Sequence, residues 1–131
     1  MQKITPFLWF DGRAGEAMDF YTSIFKNSKI VNVSRYGKGA PGDMEGSVMT
    51  CTINLDGQDF MLLNAGPMFT FTPAISLFVT YDTVEEIDEL FETLCESEQV
   101  LMPLSPTPVN EKLGSVRDKY VVSWQLKLAE K

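Results

Sequence analysis

The sequence predicts an α+β fold of two βαβββ modules, whose curved antiparallel and mixed sheets enclose a cleft. Three observations carry this prediction. Two amphipathic helices lie 70 residues apart with apolar side chains at the same six places. Each follows a short apolar run that starts just after a Thr-Pro pair. Each is followed by stretches that alternate apolar and polar residues in the period of a half-buried strand.

Thr5-Pro6 opens the first module, and Phe7 to Phe10 is too short for a helix but apolar enough for a central strand. Gly12 to Lys26 puts Ala14, Ala17, Phe20, Tyr21, Ile24 and Phe25 on one stripe, which predicts the first helix. Lys29 to Tyr36 and Ser47 to Leu55 are the next strands, and in the latter Met49, Cys51, Ile53 and Leu55 alternate with Thr50, Thr52 and Asn54. Asp56-Gly57 supplies a hairpin turn into Gln58 to Asn64, so the first module spans 3–64. Residues 65–73 cross to the second module, 74–128.

There Thr72-Pro73 precedes the apolar run Ala74 to Val79. Val84, Ile87, Leu90, Phe91, Leu94 and Cys95 repeat the stripe of the first helix. Asp82 and Thr83 offer N-cap oxygens, with Glu85 and Glu86 in capping-box spacing. A short strand near Val100 to Leu104, a loop broken by Pro103, Pro106 and Pro108, and a strand near Gly114 to Arg117 follow. The last strand has Val122, Trp124, Leu126 and Leu128 on its apolar side. No low-complexity linker separates the modules, and residues 1–131 are expected to form a single domain.

A chain of 131 residues can bury a real core, and 44% hydrophobic with 22% charged residues is the balance of a folded protein. The formal charge of −7, from 18 acidic against 11 basic residues, opposes a polyphosphate partner and argues against nucleic-acid binding. Apolar runs are too short to span a bilayer and neither end reads as a secretion signal, which predicts a cytoplasmic protein without membrane contact. The chain has no histidine, and Cys51 and Cys95 show no CxxC spacing. A thiol needs a base or a cationic neighbour to become a nucleophile, and Thr50 and Thr52 or Leu94 and Glu96 provide neither. Both read as inert, reduced thiols of the cytosol.

Four strings occur in order on these elements: Pro6 to Gly12, Asp19-Phe20-Tyr21, Phe71 to Ser76, and Asp118-Lys119-Tyr120 followed by Ser123-Trp124-Gln125. In them the chain, over essentially its whole length, resembles the PhnB-like branch of the vicinal oxygen chelate superfamily. This is the glyoxalase, bleomycin-resistance and dioxygenase group, in which some members are labelled demethylubiquinone methyltransferase. The resemblance implies paired βαβββ modules, a metal in the cleft of many enzymes of the group, and a homodimer. Its best-known members bind metal through His and Glu at places that fall near Thr5 or Pro6, near Leu63 or Asn64, at Ala74 and at Gln125. None of these is a histidine or a carboxylate, and neutral oxygens are weak substitutes around zinc, nickel or iron. The expectation is a protein with neither metal nor other cofactor. Nearer relatives often carry His where this chain has Met68, Gly where it has Val121 and Trp where it has Ser115. The methyltransferase label finds little support in the residues, because Asp11 to Gly15 lacks the Gly-rich turn of a conventional methyl-donor site.

Trp9, Met61, Leu63 and Gln125 are expected to face one cavity. One of Trp124 and Gln125 must point into it; Gln125 is taken as an uncharged hydrogen-bonding anchor and Trp124 as buried under the helix. Phe69 and Phe71 stand where they would close over an apolar ligand, with plain core packing as the competing role. Arg35, on a middle strand, would clamp an anionic group if it pointed inward. Gly37 to Gly42 lacks the GK[ST] and helix of a phosphate loop, so it reads as a hairpin connection; the stretches Gly37–Gly46 and Pro103–Pro108 are candidate lids. Glu16, Asp19, Glu85, Glu86, Asp88 and Glu89 read as a solvated helix face.

The reading is a metal-free PhnB-like protein that binds a small, largely apolar ligand, with its reaction unassigned. The rivals are an enzyme of glyoxalase, isomerase or methyl-transfer type and a resistance protein that sequesters its ligand. Val31, Val33, Val100, Leu101 and Met102 offer apolar area for an isologous homodimer. Light scattering across a dilution series is expected to give twice the monomer mass, and a monomer mass at every concentration would refute the dimer.

Overall fold

The computed structural model describes residues 2–39, 45–95, 99–107 and 110–129. The chain divides into two compact units, Met1–Thr70 and Phe71–Lys131. In the first, β1 (Phe7–Asp11), α1 (Ala14–Ile24), β2 (Ser28–Arg35), β3 (Val48–Leu55) and β4 (Gln58–Ala65) form a four-stranded sheet of order β1-β4-β3-β2 with α1 on one face. In the second, β5 (Ser76–Tyr81), α2 (Val84–Leu94), β6 (Gln99–Thr107), β7 (Asn110–Arg117) and β8 (Ser123–Leu128) repeat the plan as β5-β8-β7-β6. β1 runs parallel to β4 and β5 parallel to β8, while the remaining pairs are antiparallel. The α+β class and the twice-written βαβββ plan therefore hold.

Each sheet buries the residues that face its helix. Ala14, Ala17, Met18 and Tyr21 of α1 are buried with Phe10, Cys51, Ile53 and Leu62 of the sheet. The stripe is turned slightly from the sequence reading, since Met18 is inside while Phe20 and Ile24 are half-buried. In the second unit Ile87, Leu90 and Leu94 of α2 are buried with Val116, Trp124, Leu126 and Leu128. Val84, the first residue of that stripe, is exposed.

The two helices start by different means. At α2 the Thr83 hydroxyl accepts from Glu86 N–H at 3.2 Å, the first arm of the capping box written in the sequence, while the Glu86 carboxylate accepts from the Thr83 hydroxyl at 2.9 Å rather than from its backbone N–H. Arg13 gives α1 no side-chain cap. Instead Asn64 Oδ1, on β4, accepts from Ala14 N–H at 2.7 Å, and Asn64 Nδ2 donates to the Val48 carbonyl at 2.9 Å. One buried amide thus satisfies an orphan N–H of the helix and ties β4 to the start of β3.

Asp56 and Gly57 have φ of 54° and 90°, the paired positive values of a two-residue hairpin that follows the strand twist. Asn54 Oδ1 accepts from Gly57 N–H at 2.9 Å and fixes that turn. The expected proline loop is instead strand: β6 continues through Pro103 and Pro106, with register shifts along its pairing to β7, and β7 begins at Asn110 rather than Gly114. Proline lacks the ladder N–H, and an edge strand with a slipping register is where a sheet tolerates it. Pro108 and residues 40–44, parts of the two expected lids, lie outside the described residues. Val31, Val100 and Leu101 are exposed on the edge strands β2 and β6, while Val33 and Met102 are half-buried. No helix among the described residues is long and apolar enough to cross a membrane.

The turn between β7 and β8 is built on a buried carboxylate. Asp118 Oδ1 accepts from Tyr120 N–H at 2.8 Å and Val122 N–H at 3.1 Å, and Oδ2 accepts from Trp124 Nε1 at 2.8 Å. To close it, Val121 takes φ of 72°, a left-handed conformation that a β-branched residue rarely adopts. Left-handed backbone costs a non-glycine residue about 1–2 kcal/mol, partly offset by the order glycine would lose on folding. Val121→Gly is therefore expected to raise stability by about 1 kcal/mol in urea unfolding. An unchanged or lowered midpoint would mean that the turn stores no strain.

Candidate binding faces

Strand register sorts the expected site residues in the first unit. Phe7 stands opposite Met61, and Trp9 opposite Leu63, across the parallel β1–β4 ladder. Across β3 and β4, Leu63 pairs with Thr50 and Met61 with Thr52. Paired residues share a face, so Phe7, Trp9, Met61, Leu63, Thr50 and Thr52 lie together on the side turned away from α1. Cys51, Ile53 and Leu62 take the helix side.

Trp9 is held in place on that face. Its Nε1 donates to the Gly66 carbonyl at 2.8 Å, and the Phe69 ring meets it edge to face with centroids 4.9 Å apart. That geometry suits the ring quadrupoles and fixes the indole plane. Trp9, Met61 and Leu63 are half-buried, whereas Phe69 is 59% exposed. The structure thus brings Trp9, Met61, Leu63 and Phe69 together.

Arg35 stands apart from them. It pairs with Val48, whose side chain lies against Gly15 at the start of α1, so Arg35 sits at the helix-side margin. Its Nη1 donates to the Gly46 carbonyl at 3.2 Å. The register shift between Ile30 and Asn32, which alternation alone does not reveal, puts Val33 opposite the buried Cys51, and Arg35, two residues on, takes the same side. Phe71 is half-buried and falls in the second unit.

In the second unit Trp124 and Gln125 divide between faces. Trp124 is 2% exposed and pairs with the buried Val116, with its indole bonded to Asp118. Gln125 emerges on the side turned away from α2, where it pairs with Phe78 and Ser115 and donates through Nε2 to Ser76 Oγ at 3.1 Å. Ser76 and Ser123 share this face, and the signal that marks them is the spacing of two from Gln125 along β8 and their pairing across the ladder.

The metal-ligand places of the resemblance hold no ready donors. Pro6 lends its carbonyl to Met61 N–H, Asn64 uses both amide atoms inside the fold, Ala74 has no side-chain donor, and Gln125 is a neutral amide turned to Ser76. No group of three or more His, Cys, Asp or Glu side chains able to hold a metal occurs among the described residues. A methyl-donor cofactor also lacks its usual cradle. β1 runs through Asp11 and Gly12 into α1 within a mixed sheet, not through a Gly-rich turn of an open parallel one. Burial pushes the Cys51 thiol up to about 11, with Asp19 adding to the shift, so it stays protonated and unreactive near neutral pH.

The family model described as 3-demethylubiquinone-9 3-methyltransferase matches residues 2–127. A solved PhnB protein of Bacillus cereus is 52% identical over 98% of this chain and 100% of its own, with a TM-score of 0.92. A structure from Pseudomonas aeruginosa is 23% identical with full coverage of both chains and a TM-score of 0.85. A glyoxylase/bleomycin resistance protein/dioxygenase domain from Frankia is 14% identical over 100% of this chain and 94% of its own, with a TM-score of 0.65, and shares the fold. No curated protein sequence matches.

Proposed function

The chain belongs to the 3-demethylubiquinone-9 3-methyltransferase family, the PhnB-like branch of the vicinal oxygen chelate superfamily, and on that premise we propose that it binds a small, largely apolar molecule without a metal. The ligand lies on the face of the first sheet turned away from α1. The observation that carries this reading is the Trp9 indole, fixed by Gly66 and Phe69 beside Met61 and Leu63 while much of the group stays accessible. A locked aromatic plane next to flexible thioether and aliphatic side chains offers shape and dispersion contact at little entropic cost. The thioether of Met61 adapts to ligands of somewhat different outline. The donor sets described above give no group placed for metal-assisted or methyl-donor chemistry, so no reaction is assigned.

A library of uncharged aromatic and alicyclic compounds, read by melting shifts, tests the reading. For compounds that raise the melting temperature, Trp9→Ala is expected to weaken binding about tenfold or more, as for a central aromatic anchor. Glu86→Ala, at the start of α2, is expected to leave affinity unchanged. Hits that bind Trp9→Ala as well as they bind the parent would place the ligand elsewhere.

A further inference from the structure

On the second sheet, the face turned away from α2 carries a hydroxyl that the fold does not use. Ser123 is 2% exposed, and its Oγ is buried without a hydrogen-bond partner among the described residues. Buried hydroxyls are nearly always paired, because an unpaired one has given up water for nothing. The register shows what surrounds it. Ser123 stands opposite Ser76 on β5 and opposite Arg117 on β7, and shares their face with Gln125 two residues on.

Gln125 reaches back to donate to Ser76 Oγ at 3.1 Å, so its amide extends toward the Ser76 and Ser123 pair. A hydroxyl that accepts from an amide keeps its own hydrogen to give elsewhere. Two O–H donors therefore stand on adjacent strands, about 4.8 Å apart at the backbone. That spacing suits one oxygen with two lone pairs. The two hydroxyls are neutral donors, and the Nε of Arg117, the residue opposite Ser123, is buried there without a hydrogen-bond partner among the described residues although Arg117 has other interactions, so benzoate serves to test for an anion.

We propose that Ser76 and Ser123 form a subsite for the carbonyl oxygen of an uncharged ligand, reached when the Gln125 amide swings aside. One neutral hydrogen bond is given up, and two hydroxyls gain an acceptor, one of them previously buried and unpaired. Gln125 is half-buried, so its side chain has room to turn. The subsite lies in the second unit and stands or falls apart from the Trp9 face.

Acetophenone, isopropylbenzene and benzoate, titrated into the full-length protein while the backbone amide signals of residues 76, 123 and 125 are followed by NMR, form the test. Acetophenone is expected to shift these signals and to bind about tenfold tighter than isopropylbenzene, which has the same outline without the carbonyl. Ser123→Ala and Ser76→Ala are each expected to reduce that ratio several-fold, and Glu85→Ala, exposed at the start of α2, to leave it unchanged. Without ligand, Ser123→Ala is expected to melt no lower than the parent, since it removes an unpaired hydroxyl. Equal binding of ketone and hydrocarbon, a ratio that survives both serine variants, or tightest binding by benzoate would overturn the proposal.

Discussion

Asp118→Ala is expected to lower the folding stability by about 3–5 kcal/mol, a large share of what a domain of this size has to lose. The carboxylate is 1% exposed and accepts from three donors, the N–H groups of Tyr120 and Val122 and the indole of Trp124. Removing it leaves all three facing a space too small and too enclosed to hydrate them well. The conservative Asp118→Asn keeps the volume and one acceptor but must turn an N–H toward a donor, so it is expected to lose less. Urea unfolding reads both losses, and the fluorescence of Trp124 reports whether its indole has lost its partner. A midpoint for Asp118→Ala within 0.5 kcal/mol of the parent, in the range of about ±0.5 kcal/mol usual for surface changes, would show that the turn stands without the carboxylate.

Asn64→Ala carries the second-largest expected effect, a loss of about 2–4 kcal/mol. Its two bonds run to groups that no side chain nearby replaces in the described hydrogen bonding, the N–H of Ala14 and the carbonyl of Val48. Asn64→Leu restores apolar volume but neither bond, and is expected to be about as damaging. Equality of Asn64→Leu with the parent would reduce the role of Asn64 to filling space. The slope of the unfolding curve should be unchanged in either variant, since the surface exposed on unfolding is the same.

The repeat of two stripes was legible because period and spacing are local properties of the chain, and helix-facing burial follows from them at Ala14, Ala17, Ile87, Leu90 and Leu94. Trp9 with Met61 and Leu63 was legible for the same reason, as alternation along paired strands places such residues on one face. Arg35 was not, because a shift in register reverses an orientation that alternation assigns. The proline-bearing stretch was misread as loop because Pro103 and Pro106 forbid a central strand but not an edge one. The roles of Asn64 and Asp118 were hidden too. Each is polar and buried, and its partners become apparent only when strands and turns are in place. Val121 was visible as a departure from the glycine of nearer relatives, and its φ of 72° gives that departure a physical meaning.

The unlike starts of the two helices bear on the order in which the chain gains structure. α2 has its start signal within three residues, from Thr83 to Glu86, so its first turn is favoured as soon as that short stretch exists. α1 takes its signal from Asn64, fifty positions later in the chain than Ala14, and must wait for β4 to arrive. A contact that distant has to be preceded by closing a long loop, whereas the Thr83 box closes none. Growing from its first residue, the chain makes α1 long before the group that caps it, and the second half holds the helix better able to form alone. Stopped-flow measurements on Asn64→Ala and Thr83→Ala would separate the two, with Thr83→Ala expected to slow refolding and Asn64→Ala to act mainly on unfolding.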